Sequence, residues 1–160
     1  MVKEQICWED VEVGYELPTL EKIAHSLMLV KWAGASGDFN PHHYEEAFGQ
    51  SQGTDGTIVH GLLKHAWLIQ LVTNWMGDEG FMKKFSCQYR GIDYPRKMKT
   101  MNEPQDGDTW QCKGKITNKY VDGDDHCVDL EIGVVNGKGE ITTPGSATVI
   151  LPSGEWQLDN

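Results

Sequence analysis

The sequence predicts an α+β fold: one buried helix in front of four or five antiparallel strands. Three observations predict it. Residues 61–76 form a mostly apolar stretch that stops at Gly77, beyond that stretch the hydrophobic period changes to two, and the turn sequences "VDGDD" and "NGKG" join the last three alternating runs.

The elements follow in order along the chain. Residues 26–35 predict a short helix that runs into a Gly-Asp turn, and residues 44–48, with Glu45 and Glu46 in the first turn, predict another. The helix over 61–76 carries apolar side chains around most of its circumference, so it is expected to be buried on most sides, with Gly77 as its stop. Phe85, Cys87 and Tyr89 then alternate with Ser86, Gln88 and Arg90. Trp110, Cys112, Gly114 and Ile116 alternate with Gln111, Lys113 and Lys115, and Val128, Leu130, Ile132 and Val134 with Asp129, Glu131 and Gly133. Ala147, Val149 and Leu151 mark the last strand, and the last three strands are expected to form a meander.

Composition narrows the class of protein. A length of 160 residues predicts one domain over 1–160, large enough to bury roughly 70% of its unfolded surface. The 39% hydrophobic content and six tryptophans point to a folded globular chain. No unbroken apolar run opens the sequence, and the most apolar window is interrupted by Lys64, His65, Gln70 and Asn74; no membrane partner and a cytoplasmic location are expected. A net charge of −10 argues against non-specific nucleic-acid or anionic-membrane binding. The four cysteines, Cys7, Cys87, Cys112 and Cys127, stand apart, which favours free thiols over zinc ligation or a disulfide framework. Charge is uneven, though: residues 82–100 hold Lys83, Lys84, Arg90, Arg96, Lys97 and Lys99 against one acid, Asp93. Such a patch suits either a solvated strand and loop or a phosphorylated small ligand.

The stretch "GASGDFNPHHYEEAFGQ" is where chemistry is expected. Pro41 biases Asn40 away from helical angles, and Gly37 gives further freedom, so the chain must turn between Asp38 and His43. A carboxylate and an imidazole brought together this way suggest a site, although a surface turn before a helix has a similar sequence.

"SGDFNPHH", followed by "AF" and "IVHGLL", resembles the signature of the MaoC-like, or R-specific enoyl-CoA hydratase, family. Ser36, Gly37, Asp38, Asn40, Pro41, His43, Ala47, His60 and Gly61 fall on its pattern, and "DGDTW" at 106–110 is similar to a Gly-Asp that opens a later family strand. The resemblance implies a hot-dog fold, an antiparallel sheet wrapped around one long central helix. It also implies that Asp38 and His43 hold one water and add it across the double bond of a 2-enoyl thioester, or run the elimination in reverse. The Gly61 amide would donate to the thioester oxygen as negative charge develops there. Ser36, Gly37, Asn40, Pro41 and His60 would shape the site. No cofactor is implied; coenzyme A arrives as part of the substrate. A metal held by Asp38, His42, His43 and His60 is conceivable, but the metal-free motif fits these residues better.

Three departures accompany the resemblance. "GQSQGTDGTIVHG" lacks the Pro that often precedes the aliphatic-Val-His-Gly run, and Trp67 stands near where a small residue is usual. Residues 91–105 exceed the short connection expected there, and with Arg90 they supply Arg96, Lys97 and Lys99 as candidate contacts for coenzyme A phosphates or for a partner subunit. His42 is expected to pack, and His25, His65 and His126 to be ordinary. Thioester hydrolysis is an alternative, but residues 61–76 contain no Asp or Glu to serve it. The third reading is an active or scaffold subunit of a heteromer. A homodimer or higher oligomer is expected because a wrapped sheet leaves edge strands.

Overall fold

The computed structural model describes residues 5–154, so the first four and last six residues of the domain expected over 1–160 lie outside the described residues. Five antiparallel strands form one sheet: β1 (Leu20–Lys22), β2 (Phe81–Cys87), β3 (Trp110–Asp122), β4 (Asp125–Val135) and β5 (Ile141–Ile150), in the order β1-β3-β4-β5-β2. The meander β3-β4-β5 is the one that the two turn sequences predict. β1 carries no sequence signal, because three residues are too few to show a period; only its pairing of Leu20 with Cys112 makes it a strand. Register shifts at Met82/Lys84, Ile116/Asn118 and Val134/Val135 bend the sheet.

The described residues also form three α-helices: α1 (Ser26–Ser36), α2 (Glu46–Ser51) and α3 (Gly61–Met76). The bounds of α3 are those the sequence predicts, and Gly77 follows it with φ 74°. The helix packs against β2, β3, β4 and β5, with Leu63, Trp67, Leu68, Leu71, Val72 and Trp75 buried. Each such side chain contributes about 1.5–3 kcal/mol by leaving water. One long helix with an antiparallel sheet curled around it is the hot-dog arrangement.

α2 starts later than predicted. Pro41–His43 form a 3-10 turn of their own, and the chain then extends at Glu45 (φ −106°, ψ 103°) before α2 begins. β2 also ends at Cys87, so Tyr89 lies beyond the strand that alternation assigns to it, although Gln88 and Arg90 still donate to Pro144 and Thr142 of β5. Cys112 and Cys127 are buried and Cys7 and Cys87 half-buried, all four free thiols. Burial pushes the Cys112 thiol up to about 12, leaving it inert.

Candidate active site

The turn after α1 is built almost entirely from bonds between near neighbours. Gly37 adopts the left-handed conformation (φ 76°, ψ 5°) that stops the helix, and its amide donates to Ala33 O. Ser36 Oγ accepts the Asp38 amide at 3.2 Å, Asp38 Oδ1 accepts the Asn40 amide at 3.3 Å, and Asn40 Oδ1 accepts the His42 amide at 3.2 Å. Asn40 thereby caps the 3-10 turn whose first residue is Pro41. Ser, Asp and Asn recur at alternate positions because each short side chain reaches the amide two residues on.

His43 is oriented from outside the turn. Its Nδ1 lies 2.8 Å from Ile58 O; a carbonyl only accepts, so Nδ1 carries the hydrogen and the neutral ring has its lone pair at Nε2. Nε2 faces Asp38 Oδ2 at 3.8 Å. That is too long for a direct hydrogen bond and suits two acceptors that share the hydrogens of one small molecule. The Asp38 side chain is 31% exposed and that of His43 11%, so the pair opens to solvent on the Asp38 side.

His60 lies behind this pair, fully buried. Its Nε2–H donates to Asp38 O at 3.2 Å, and its ring stacks on His43 with centroids 3.6 Å apart and 19° between planes. Burial, and then the neighbouring His43, lower the His60 pKa, which favours a neutral His60 ring. Asp38, His43 and His60 offer donor atoms within 4.8 Å of one another. One nitrogen of each ring is already engaged, His43 Nδ1 by Ile58 O and His60 Nε2 by Asp38 O. His42 packs edge-on against Phe48 at 5.0 Å.

Gly61 is the first residue of α3, and its amide has no partner among the described residues, as expected of a helix N-terminus. A Cβ there would stand 3.0 Å from the Tyr89 ring. The structure thus gives Gly61 a reason beyond ligand approach: Tyr89 lies against it, with its hydroxyl 3.3 Å from His65 Nδ1.

The four basic candidates do not form one cluster; each has its own partner. Arg96 donates to Gly107 O, Asp108 O and Thr109 Oγ1, and its backbone bonds to Ala24 and Ser26. Lys97 pairs with Glu46, Lys99 with Glu103, and Arg90 donates to Gln88 Oε1. Arg90 also borders a cavity of about 210 Å³ with Cys87 and Pro144. A larger cavity of about 310 Å³ lies on the outer face of the sheet between Lys113, Lys115 and Glu131, away from Asp38 and His43.

Three features of the site are absent from the sequence reading. The Ile58 carbonyl leaves no trace in residue type. Tyr89 is legible only as an alternating residue. Lys64 and Asp93 form a buried ion pair, whose trace in the sequence is a lysine on an apolar helix and a single acid in a basic window.

Comparison with known proteins agrees with this architecture. Over 129 residues the chain is 26% identical to fatty acid synthase subunit beta of Saccharomyces cerevisiae; the match covers 79% of this chain but 6% of that protein. The (R)-hydratase of A. caviae involved in PHA biosynthesis superposes with a TM-score of 0.74 at 23% identity, covering 90% of this chain and 99% of that one. A chain of the ChsH1-ChsH2 complex of Mycobacterium tuberculosis superposes with a TM-score of 0.71 at 21% identity, covering 88% and 98%. At such identities these likenesses show the fold. The family follows from the sequence itself: residues 11–102, which span the Asp38–His43 turn, α3 and the Lys64–Asp93 pair, match the MaoC like domain, and the chain belongs to that family.

Proposed function

We propose that this chain adds water to a 2-enoyl-CoA to give a 3-hydroxyacyl-CoA, or catalyses the reverse dehydration. The observation that carries the reading is the orientation of His43, its Nδ1–H held by Ile58 O and its Nε2 lone pair 3.8 Å from Asp38 Oδ2. A water between them would donate one hydrogen to each and keep a lone pair for attack on the β-carbon. As the carbon–oxygen bond forms, His43 Nε2 takes a proton and becomes a cation beside the Asp38 carboxylate. The electron pair of the double bond moves toward the thioester oxygen, where the free Gly61 amide would receive it, a donor worth about 2.7–4 kcal/mol in comparable sites. The proton then passes from the pair to the α-carbon, so the elements of one water are added. Asn40, Pro41, Ser36 and Gly37 fix the turn, and neutral His60 backs His43 without adding a competing charge.

The A. caviae protein is an (R)-hydratase, and its likeness to this chain supports the reaction class. Contact of the basic segment with coenzyme A phosphates is carried here by Lys97 and Lys99, whose ion pairs are exposed; Arg96 has most of its donors committed to the loop. We also propose assembly through β2. It is an edge strand with Phe81 63% exposed, and Phe39 and Leu62, next in sequence to Asp38 and Gly61, are 61% and 49% exposed. The M. tuberculosis neighbour is a chain of a complex of ChsH1 with ChsH2, so a heteromer is the alternative, and co-purification separates it from a homodimer. No described helix is long and apolar enough to cross a membrane.

The test is loss of enoyl-thioester ultraviolet absorbance across a panel of 2-enoyl-CoAs, with Asp38→Asn beside wild type. Turnover that the substitution abolishes supports the reading, and the ranking of acyl chains defines the pocket. A folded wild-type protein that turns over no chain length overturns it.

A further inference from the structure

We propose that Lys64 and Asp93 are positioning residues, a buried ion pair that ties the 90–93 segment to α3 and thereby holds both the carbonyl that orients His43 and the amide that faces the substrate oxygen. The proposal rests on the hydratase reading above for its consequence, but its geometry stands apart from that reading.

Lys64 Nζ is 2.7 Å from Asp93 Oδ2 and 3.0 Å from Gly91 O, with side-chain exposures of 2% for Lys64 and 1% for Asp93. The backbone of Asp93 makes the next link, its carbonyl accepting the Val59 amide at 2.8 Å. On the other side of the same strand of chain, the Ile58 amide donates to His42 O at 3.0 Å and Ile58 O accepts from His43 Nδ1 at 2.8 Å. Residues 58–59 are thus clamped between the Asp38–His43 turn and the 90–93 segment. Two residues further on, Gly61 begins α3, and one turn into that helix Lys64 closes the ring back to Asp93. The ring is fixed to the sheet, because the Arg90 and Gly91 amides both donate to Thr142 O of β5 at 3.0 and 2.9 Å. A Cβ on Gly91 would stand 2.7 Å from Thr142.

Stability alone gives little reason for such a pair, since two charges taken from water often regain no more than they lose, and an apolar pair of like volume often serves a core as well. A cation buried near a helix N-terminus is, moreover, on the unfavourable side of the dipole unless an anion accompanies it. What an ion pair supplies and an apolar pair does not is a fixed distance and direction between two segments. Here the segments carry the groups whose placement decides the chemistry, and a displacement of about 1 Å in such a site costs about 10²-fold in rate.

The test uses the whole chain with Lys64→Met/Asp93→Asn, which removes both charges together and leaves neither stranded. A second variant, Gly91→Ala, pushes the segment off Thr142 with the ion pair intact. Three readouts are taken: kcat and KM with a 2-enoyl-CoA, hydrogen exchange of the Val59 amide, and the ¹⁵N shifts of the His43 ring. We expect kcat to fall about 10²-fold in the double variant and about 10-fold in Gly91→Ala, with KM within about twofold. Val59 exchange should quicken in both, and the single Nδ1–H tautomer of His43 should become a mixture. Wild-type kcat in a folded variant overturns the proposal, as does a fall in kcat with Val59 protection and the His43 tautomer unchanged. If the wild-type protein turns over no thioester, the hydratase reading fails by that result. The exchange and ¹⁵N readouts then decide by themselves, and unchanged values overturn the clamp. Should the double variant not fold, Gly91→Ala decides by the same three criteria.

Discussion

Two irregular segments meet at the candidate site, and they are held in opposite ways. The turn from Ser36 to His43 is closed by side chains bonding to amides two residues away, Ser36 to Asp38, Asp38 to Asn40, Asn40 to His42. The segment between β2 and β3, besides the bonds that Arg96 and Lys99 make within it, is held by residues far along the chain: Ala24 and Ser26 at Arg96, Glu46 at Lys97, Lys64 at Asp93 and Thr142 at Gly91. The first segment makes most of its own shape, with Ile58 and His60 bonding to it at His42, His43 and Asp38, and presents chemical groups. The second borrows its shape and lends it on, as a strap over residues 58–59. Local closure leaves a readable motif, whereas distant closure leaves scattered charges that resemble a ligand patch.

The sharpest way to break this comparison is at the turn. Asp38→Asn keeps the oxygen that accepts from Asn40 and removes the carboxylate, so activity should fall about 10²–10⁴-fold with little change in thermal midpoint. A loss of activity matched by a loss of fold would mean that the turn is not self-sufficient. The strap should behave in the reverse order. Lys64→Met alone strands the Asp93 carboxylate, and urea unfolding should show about 3–5 kcal/mol less stability, a loss much reduced when Asp93→Asn is added.

Gly61 is the joint between the two regions. Gly61→Ala presses a methyl to 3.0 Å from the Tyr89 ring and should cost about 1–3 kcal/mol, relieved by Tyr89→Ala. If the second substitution brings no relief, the packing of Tyr89 on Gly61 is not what limits that position.

A smaller effect comes from the buried imidazole behind the turn. The His60 pKa is lowered from its ordinary 6.5, first by burial and then by His43. Below 6.5 the unfolded chain binds a proton there that the native state does not, so stability rises with pH through this range. The contribution is present above 6.5 and is lost as pH falls from there through the lowered native value. His25, lowered by burial and by Lys31 and Arg96, acts in the same direction. Unfolding midpoints at pH 5.5 and 7.5 should therefore differ in wild type, and by less in His60→Gln.

The smallest effect should come from the exposed end of the strap. Lys97→Ala with Lys99→Ala removes two solvent-exposed pairs, each worth about 0–1 kcal/mol of stability. Their use is in KM: a rise with kcat unchanged supports phosphate contact, and an unchanged KM ends that reading.

The sequence by itself determined the bounds of α3, the β3-β4-β5 meander and the turn that brings Asp38 to His43. Each depends on a local cause: an apolar face with a glycine stop, an alternating period with turn residues between, and short polar side chains that bond two residues on. Tertiary structure alone decided that β1 is a strand, that β2 lies beyond β5, that α2 waits for the Pro41 turn to finish, and that Ile58 fixes the His43 ring. It also turned Lys64 and Asp93 from a helix blemish and a lone acid into a pair, and assigned Arg96 to its own loop. Most of those outcomes depend on contacts between residues 11 to more than 90 positions apart, such as Arg96 with Gly107, His43 with Ile58 and Leu20 with Cys112, and no local pattern encodes a partner that only folding brings near.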